Sequence, residues 1–423
     1  PSPAPTPAPT ELPTPTQTPA PSITPVPTAT FVPVAPTPTL EPLSAERRAA
    51  LFAQVWTLVR ENYVYEDYRG NDWEAVRAEF EPRVLGAASE EEAYAQLGAM
   101  IERLGDDHTV FLSPQDVYNE QARFSGSYSF GGIGVQIRSV ANGALITDLA
   151  ADGPAAQGGL QRREVITAID GVRLAGGGDE NPIRLARGQP GTEVMVTVEA
   201  VGGGERELVL IRQVISSNAF PAVVGRWLPD TNAILLEIDT FNEQDLDQKV
   251  RTKLEELLAS GTPDALVIDV RDNGGGRLDY LVNVLGLFID GGDVGSYAGR
   301  GQSTTISLPA GRTLAALRDT PITVLTSADS VSAAEIFAAG MQLRGRATLV
   351  GEPTAGNTEV LTLHFFDGGS QIRLAERAYR TPDGELIEGR GVQPDLPVAA
   401  EWWRFPAEDD PYVRAALAAV EVQ

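Results

Sequence analysis

Apolar positions follow two different periods along the chain, and the period in force predicts each element. Leu51, Phe52, Val55, Leu58, Val59 and Tyr63 recur three or four residues apart, the spacing of one buried helix face. Trp73, Val76 and Phe80 repeat that spacing after Asp72. A third helix is expected from the capping box Ser89-x-x-Glu92 through Leu97, Met100, Ile101 and Leu104, with Gly105 as its stop. The period then falls to two. Residues 123–214 alternate in Ile133–Ile137, Val194-x-Val196-x-Val198 and Leu208-x-Leu210, with turns at Asp170-Gly171 and Gly202-Gly203-Gly204. A short helix is expected after Pro154.

From residue 215 strands and helices take turns, which predicts a mixed α/β layer. Strands are expected at Ala233–Phe241, Ala265–Val270 and Pro321–Thr326. Asn242 is expected to cap a helix with the stripe Leu246, Val250, Leu254 and Leu257. Further helices are expected after Gly276, near Ser332 and from Asp409-Asp410-Pro411. No run approaches the ~18 apolar residues of a membrane span.

The first 43 residues are different material. Pro1–Pro42 is Pro, Thr, Ala and Ser with almost no charge, and it holds about half of the 31 prolines. Such a stretch cannot bury enough apolar surface to offset its ordering entropy, and repeated Pro favours polyproline II. It is expected to be a disordered, semi-rigid tether. The chain begins with Pro1 and not Met, and a Pro/Thr stalk precedes a Cys-free body. Both suggest export, with a removed signal or lipoprotein leader, and so a secreted or membrane-tethered protein. A cytosolic linker is the alternative. The expected organisation is therefore multidomain α/β: a linker at 1–43, helices at 44–122, a β module at 123–214 and a core at 215–423.

Charge and chemistry narrow the function. With 33 Lys+Arg against 58 Asp+Glu the formal charge is −25, which repels nucleic acid and anionic membrane surfaces. There are no cysteines, so thiol catalysis and Cys-ligated metals are excluded. His108 and His364 are the two histidines, too few for a multi-His metal cage, and no cofactor is expected. Two strand-to-helix junctions could carry chemistry. Val267-Ile268-Asp269-Val270 runs into Gly274-Gly275-Gly276, whose N–H groups could converge on an anion or could form a plain turn. Ser332-Ala333-Ala334-Glu335 opens a helix after a buried strand, where helix N–H groups would favour an oxyanion, although Ser is also a common N-cap.

The order of these parts resembles the C-terminal processing (tail-specific) peptidases. The resemblance rests on Asp269-Val270-Arg271-Asp272-Asn273-Gly274-Gly275-Gly276, Ser332-Ala333-Ala334-Glu335, Gly351-Glu352-Pro353-Thr354-Ala355-Gly356 and Glu388-Gly389-Arg390-Gly391-Val392-Gln393-Pro394-Asp395. It implies a crotonase-like ββα protease core, with Ser332 as nucleophile and an oxyanion hole at Gly275, Gly276 and Ala333. Phe130-Gly131-Gly132-Ile133-Gly134-Val135 resembles the carboxylate-binding loop of PDZ domains. The module would then hold a polypeptide C-terminus on Gly131, Gly132, Ile133 and Gly134, or would merely cover the active site.

One departure changes the chemistry expected. Better-known members carry a lysine base after the Gly-Glu-x-Thr-x-Gly stretch, and here that position is Asn357, with Leu361 in place of the usual glutamine. Asn cannot accept the serine proton. The two lysines, Lys249 and Lys253, fall on the expected helix after Asn242. A second branch, the tricorn-type core proteases, uses Ser, His and Glu, and the matching positions are His108 in Asp106-Asp107-His108-Thr109 and Glu388. The expectation is a serine endopeptidase acting on polypeptide C-terminal regions through an acyl-enzyme, without metal. Its rivals are a non-catalytic binding protein on the same fold and an ester or lactone hydrolase. His108 could also be a capped loop residue or join Asp106 and Asp107 around a metal. Glu388 could be a loop charge, and His364 is expected in packing or at the surface. Oligomeric state is not set by the sequence.

Overall fold

Segments that are apolar on both faces form the strands of a central six-stranded sheet. Ala233–Ile238, Ala265–Asp269 and Ile322–Thr326 are buried along their whole length, the pattern of parallel strands covered on both sides. They pair in that order, with Leu236 opposite Ile268 and Ile268 opposite Val324. Val223–Trp227 joins antiparallel at one edge, and Thr348–Gly351 and Leu396–Pro397 extend the other edge in parallel. Helices Leu246–Leu258, Leu278–Leu285 and Ala333–Leu343 share a core with Ile234, Leu236 and Ile268. The opposite face, through Leu235, Val267 and Leu325, packs on Tyr412 and Val413 of helix Pro411–Glu421. The computed structural model describes residues 44–106, 108–124, 130–174, 182–216 and 219–421. The expected tether and Asp107 lie outside the described residues.

The helix expected from Asn242 begins instead at Leu246, with Asp245 as its N-cap. Residues before it are tied to the glycine turn. Phe241 N–H donates to Gly275 O at 2.8 Å and Arg277 N–H to Phe241 O at 3.0 Å. Gly276, at φ +149°, permits this approach, since a Cβ there would lie 2.1 Å from the Phe241 carbonyl carbon.

The three expected N-terminal helices are Ala45–Asn62, Trp73–Leu85 and Glu90–Glu102, capped by Ser44, Asp72 and Ser89. Their core does not close on itself. It continues onto Phe111 and onto Ile372, Leu374 and Ala375 of strand Gln371–Arg380. That strand organises a second sheet, pairing with Val110–Leu112, Gly292–Gly299 and Glu359–Phe365. Strand Val110–Leu112 therefore carries the chain from the helices to the protein's middle.

The β-rich module is an antiparallel sheet of Val135–Val140, Gly143–Leu149, Val165–Ile169, Glu193–Glu199 and Glu205–Ile211 around Ile146, Ile166 and Val196. Its entry Phe130–Gly132 pairs with its exit Gln213–Ile215, so the module leaves and rejoins the chain at one place. Arg138 crosses to the core, reaching Asp272 at 2.9 Å and Asp329 at 3.2 Å. Among the described residues no helix is long and apolar enough to cross a membrane.

Candidate active site

Ser332 stands between strand Ile322–Thr326 and helix Ala333–Leu343, with φ 56° and ψ −114°. A non-glycine residue in this region is strained and persists only where its surroundings fix it. Here the fixing is explicit. Ser332 N–H donates to Glu335 Oε1 at 3.0 Å, and Val331 N–H donates to Asn273 O at 3.0 Å. Gly275, at φ +93°, backs directly onto the serine, since a Cβ there would lie 2.8 Å from Ser332 Cβ. The two junctions singled out in the sequence thus meet at one point.

The donors around that point are unequal. Gly275 N–H already donates to Asn273 Oδ1 at 2.8 Å, while Asn273 Nδ2 donates to Ile238 O at 2.8 Å. Among the described residues no acceptor takes the N–H of Gly276 or of Ala333. Those two are available to an oxyanion.

Glu335 is fully buried and reads as the hub of the site. Besides Ser332 N–H, it accepts from Thr354 Oγ1 at 2.5 Å, Gly356 N–H at 2.6 Å and Asn357 N–H at 2.7 Å. Burial pushes its carboxyl above the ordinary value, and these donors pull the other way. The segment from Thr354 to Thr358 is thereby fastened beside the serine. At its far end Thr358 N–H and Oγ1 donate to Glu388 Oε2, at 2.6 and 3.2 Å.

His108 lies between helix Glu90–Glu102 and strand Val110–Leu112. Asp106 sets its loop, with Oδ1 accepting from the N–H groups of His108 and Thr109 and Oδ2 from the Tyr63 hydroxyl at 2.6 Å. His108 Nε2 lies 3.7 Å from Glu388 Oε1. Glu388 holds the imidazole pKa above its usual value, burial opposes this, and Glu359 and Asp106 add to the rise. Among the described residues no hydrogen bond joins His108 to Ser332; the two are connected through Glu388, the Thr354–Thr358 segment and Glu335.

Other residues named in the sequence make different contacts. Lys249 pairs with Glu243 and Lys253 with Glu256, both on or beside helix Leu246–Leu258. His364 Nε2 lies 2.7 Å from Glu376 Oε1 on the second sheet. In the β module, Gly132, Ile133 and Gly134 line a cavity of about 320 Å³ with Val135, Ile137, Ala186 and Phe220. Gly131 abuts the segment after that cavity, its carbonyl accepting from Gly188 N–H at 2.9 Å.

Two site residues carry no role in the sequence reading. Glu335 was accessible to it, because Ser332-x-x-Glu335 is itself a capping-box pattern. Glu359 was not. It opens strand Glu359–Phe365 as an ordinary alternating polar position. Yet its donor oxygen lies within 4.8 Å of those of His108 and Glu388, and burial pushes its carboxyl up to about 7.

The sequence divides among three known families. Residues 233–398 match peptidase family S41, residues 44–102 the tricorn protease C1 domain and residues 145–199 the PDZ domain. A carboxyl-terminal-processing protease from Synechocystis sp. is 29% identical over 360 residues, covering 85% of this chain and 82% of that protein. A CtpA-like serine protease from Staphylococcus haemolyticus is 26% identical over 306 residues, covering 72% of this chain and 60% of that protein. Among solved structures, the photosystem II D1 C-terminal processing protease superposes with a TM-score of 0.59 at 25% identity, over 83% of this chain and 93% of that one. The chain thus carries a peptidase family S41 core and a PDZ module in a mixed α/β protease fold, and over most of its length it is similar to the carboxyl-terminal-processing serine proteases.

Proposed function

We propose that the protein is a serine endopeptidase working through a Ser332–His108–Glu388 set rather than a Ser–Lys dyad. The observation that carries this reading is the approach of His108 Nε2 to Glu388 Oε1, 3.7 Å apart, beside a segment whose lysine position is Asn357. Ser332 Oγ attacks the substrate carbonyl while His108 takes its proton, and the oxyanion is met by the N–H groups of Gly276 and Ala333 beside Gly275. The Nε2 edge faces Glu388, so Nδ1 is the atom that accepts. The imidazolium then protonates the leaving amine, and water releases the acyl group by the same steps in reverse. Glu388, held by Thr358, orients the ring. A contact of this length closes in the substrate complex, since catalytic hydrogen bonds are often long without ligand.

The core is read as crotonase-like, and the chain as 1–43 linker, 44–122 helical part, 123–214 PDZ-like module and 215–423 core. The cavity bordered by Gly132, Ile133 and Gly134 takes the substrate's C-terminal residues, its backbone N–H groups facing the carboxylate. The protein works outside the cytoplasm, secreted or held at a membrane by its Pro/Thr-rich stalk. A fluorophosphonate probe tests the central claim. It should label the intact chain and not Ser332→Ala, and absence of labelling in both would leave a binding protein.

A further inference from the structure

His108, Glu359 and Glu388 each present one donor atom, and these atoms lie within 4.8 Å of one another. Their surroundings distinguish them from a chance meeting of acids. Glu359 is half-buried with both carboxylate oxygens shielded from solvent, and among the described residues the Tyr65 hydroxyl beside it is its one nearby donor, without a hydrogen bond of ordinary geometry. A shielded carboxylate with so little donor support is costly and favours a proton or a cation at its oxygens. The other two groups are already braced from behind. Asp106 accepts the backbone N–H of His108, and Thr358 occupies Oε2 of Glu388, which leaves Oε1 turned toward the imidazole. The Thr358 bond to Glu388 is of the kind that metal-ligating carboxylates carry, while Asp106 fixes the backbone of the His108 loop.

The spacing is also informative. His108 Nε2 and Glu388 Oε1, at 3.7 Å, are too far apart for a hydrogen bond. Two ligands of a tetrahedral zinc, each ~2.0–2.1 Å from the ion, stand ~3.4 Å apart. A small inward movement of Glu359 would complete three ligands and leave a fourth position open. One imidazole and two carboxylates suit zinc or a similar d-block ion, whereas calcium and magnesium require about six oxygen ligands.

We propose that His108, Glu359 and Glu388 bind one zinc-class divalent cation, and that the ion, held on Nε2, keeps the ring's proton on Nδ1, the accepting nitrogen, and so holds the peptidase inactive. The inhibitory half rests on the His108 role proposed above; the binding half does not. The remaining sequence offers little competition, with no cysteine and one other histidine, His364.

Titration calorimetry of the untagged full chain with zinc chloride tests the site, using Ser332→Ala so that no turnover interferes. One ion should bind, Glu359→Gln and His108→Ala should each weaken it at least tenfold, and His364→Ala should not. If Glu359→Gln does not fold, Glu388→Gln removes a ligand from the same set. Equal zinc affinity in parent and ligand variants would overturn the proposal. In the active chain zinc should suppress peptide hydrolysis and a chelator restore it. Glu359→Gln, compared with its own zinc-free rate, should need at least tenfold more zinc for half inhibition. Specific binding without any hydrolysis or probe labelling would remove the peptidase mechanism and keep the site. Hydrolysis indifferent to zinc, with no specific binding, would remove the site alone.

Discussion

The backbone N–H groups of Ser332 and Asn357 donate to one and the same oxygen of Glu335, at 3.0 and 2.7 Å. This carboxylate couples the strained serine to the segment where related enzymes place a lysine. A buried hydrogen bond to a charged group contributes about 1.5–3 kcal/mol. Glu335→Gln would turn an amide NH₂ toward N–H donors, so we expect it to cost about 2–4 kcal/mol of stability. Turnover should fall further than substrate affinity. Denaturant unfolding and steady-state kinetics check both, and an unchanged variant would mean that Glu335 does not hold the site.

The choice of base is decided by comparing His108→Ala with Asn357→Ala. The first should fall to about the rate of Ser332→Ala, a loss of ~10⁴ to 10⁶ in turnover, and the double variant should be little worse. Glu388→Gln should cost less, since it orients the ring without taking the serine proton. Asn357→Ala should stay within a few-fold. The opposite ranking would dismiss the Ser–His–Glu reading.

Arg271 is fully buried beneath the Gly274–Gly276 turn, between Asp269 and Asp410, with Nη2 donating to them at 2.6 and 2.9 Å. Its guanidinium lies 4.0 Å from the centroid of the Trp402 ring. Arg271→Met should destabilise the protein by about 3–5 kcal/mol, because buried Asp269 loses its paired cation and Asp410 keeps only Arg163, at 3.2 Å. Burial alone would push the Asp269 carboxyl up, but Arg271 outweighs it and holds Asp269 below its ordinary value. The folded state therefore binds fewer protons than the unfolded one as the pH falls. This stability is complete above the unfolded carboxyl pKa and is lost as pH drops through the lower folded value. In Arg271→Met burial leaves the Asp269 carboxyl raised instead of lowered, so this acid loss should vanish or reverse, and thermal unfolding from pH 6 to pH 3 should show the stability gap between parent and variant narrowing.

If the cavity at Gly132–Gly134 receives a carboxylate, amidating a peptide's C-terminus removes a charged acceptor. Affinity should fall about tenfold or more, by the same range for charge-assisted bonds. Fluorescence anisotropy with acid and amide peptides of one sequence reads this directly. Equal binding would mean that the module does not read the chain end.

Much of this architecture was legible because its signals are local. Helix caps at Ser44, Asp72 and Ser89, the buried runs at Ala265 and Ile322 and the paired glycine and serine junctions depend on neighbours in sequence. The second sheet was not legible. Glu359–Phe365 exposes Leu361, Leu363 and Phe365 on one side, so its alternation does not report which face meets the core. Glu359 gains its character from His108, 251 positions earlier, a proximity that no local period encodes. The late start of helix Leu246–Leu258 has the same origin, since Phe241 is claimed by Gly275 and Arg277 across the fold.

Among the described residues strand Val110–Leu112, which delivers His108, pairs with residues 371–373 alone, and Glu388 comes later still. During synthesis the helices, the β module and most of the core leave the ribosome before that pairing partner exists. On the proposed Ser332–His108–Glu388 set, a nascent chain holding Ser332 would lack both the anchor of its proton acceptor and the acid beside it. The same holds for any fragment truncated before residue 371. If that set is the catalytic one, the stretch from residue 371 to Glu388 is what completes it.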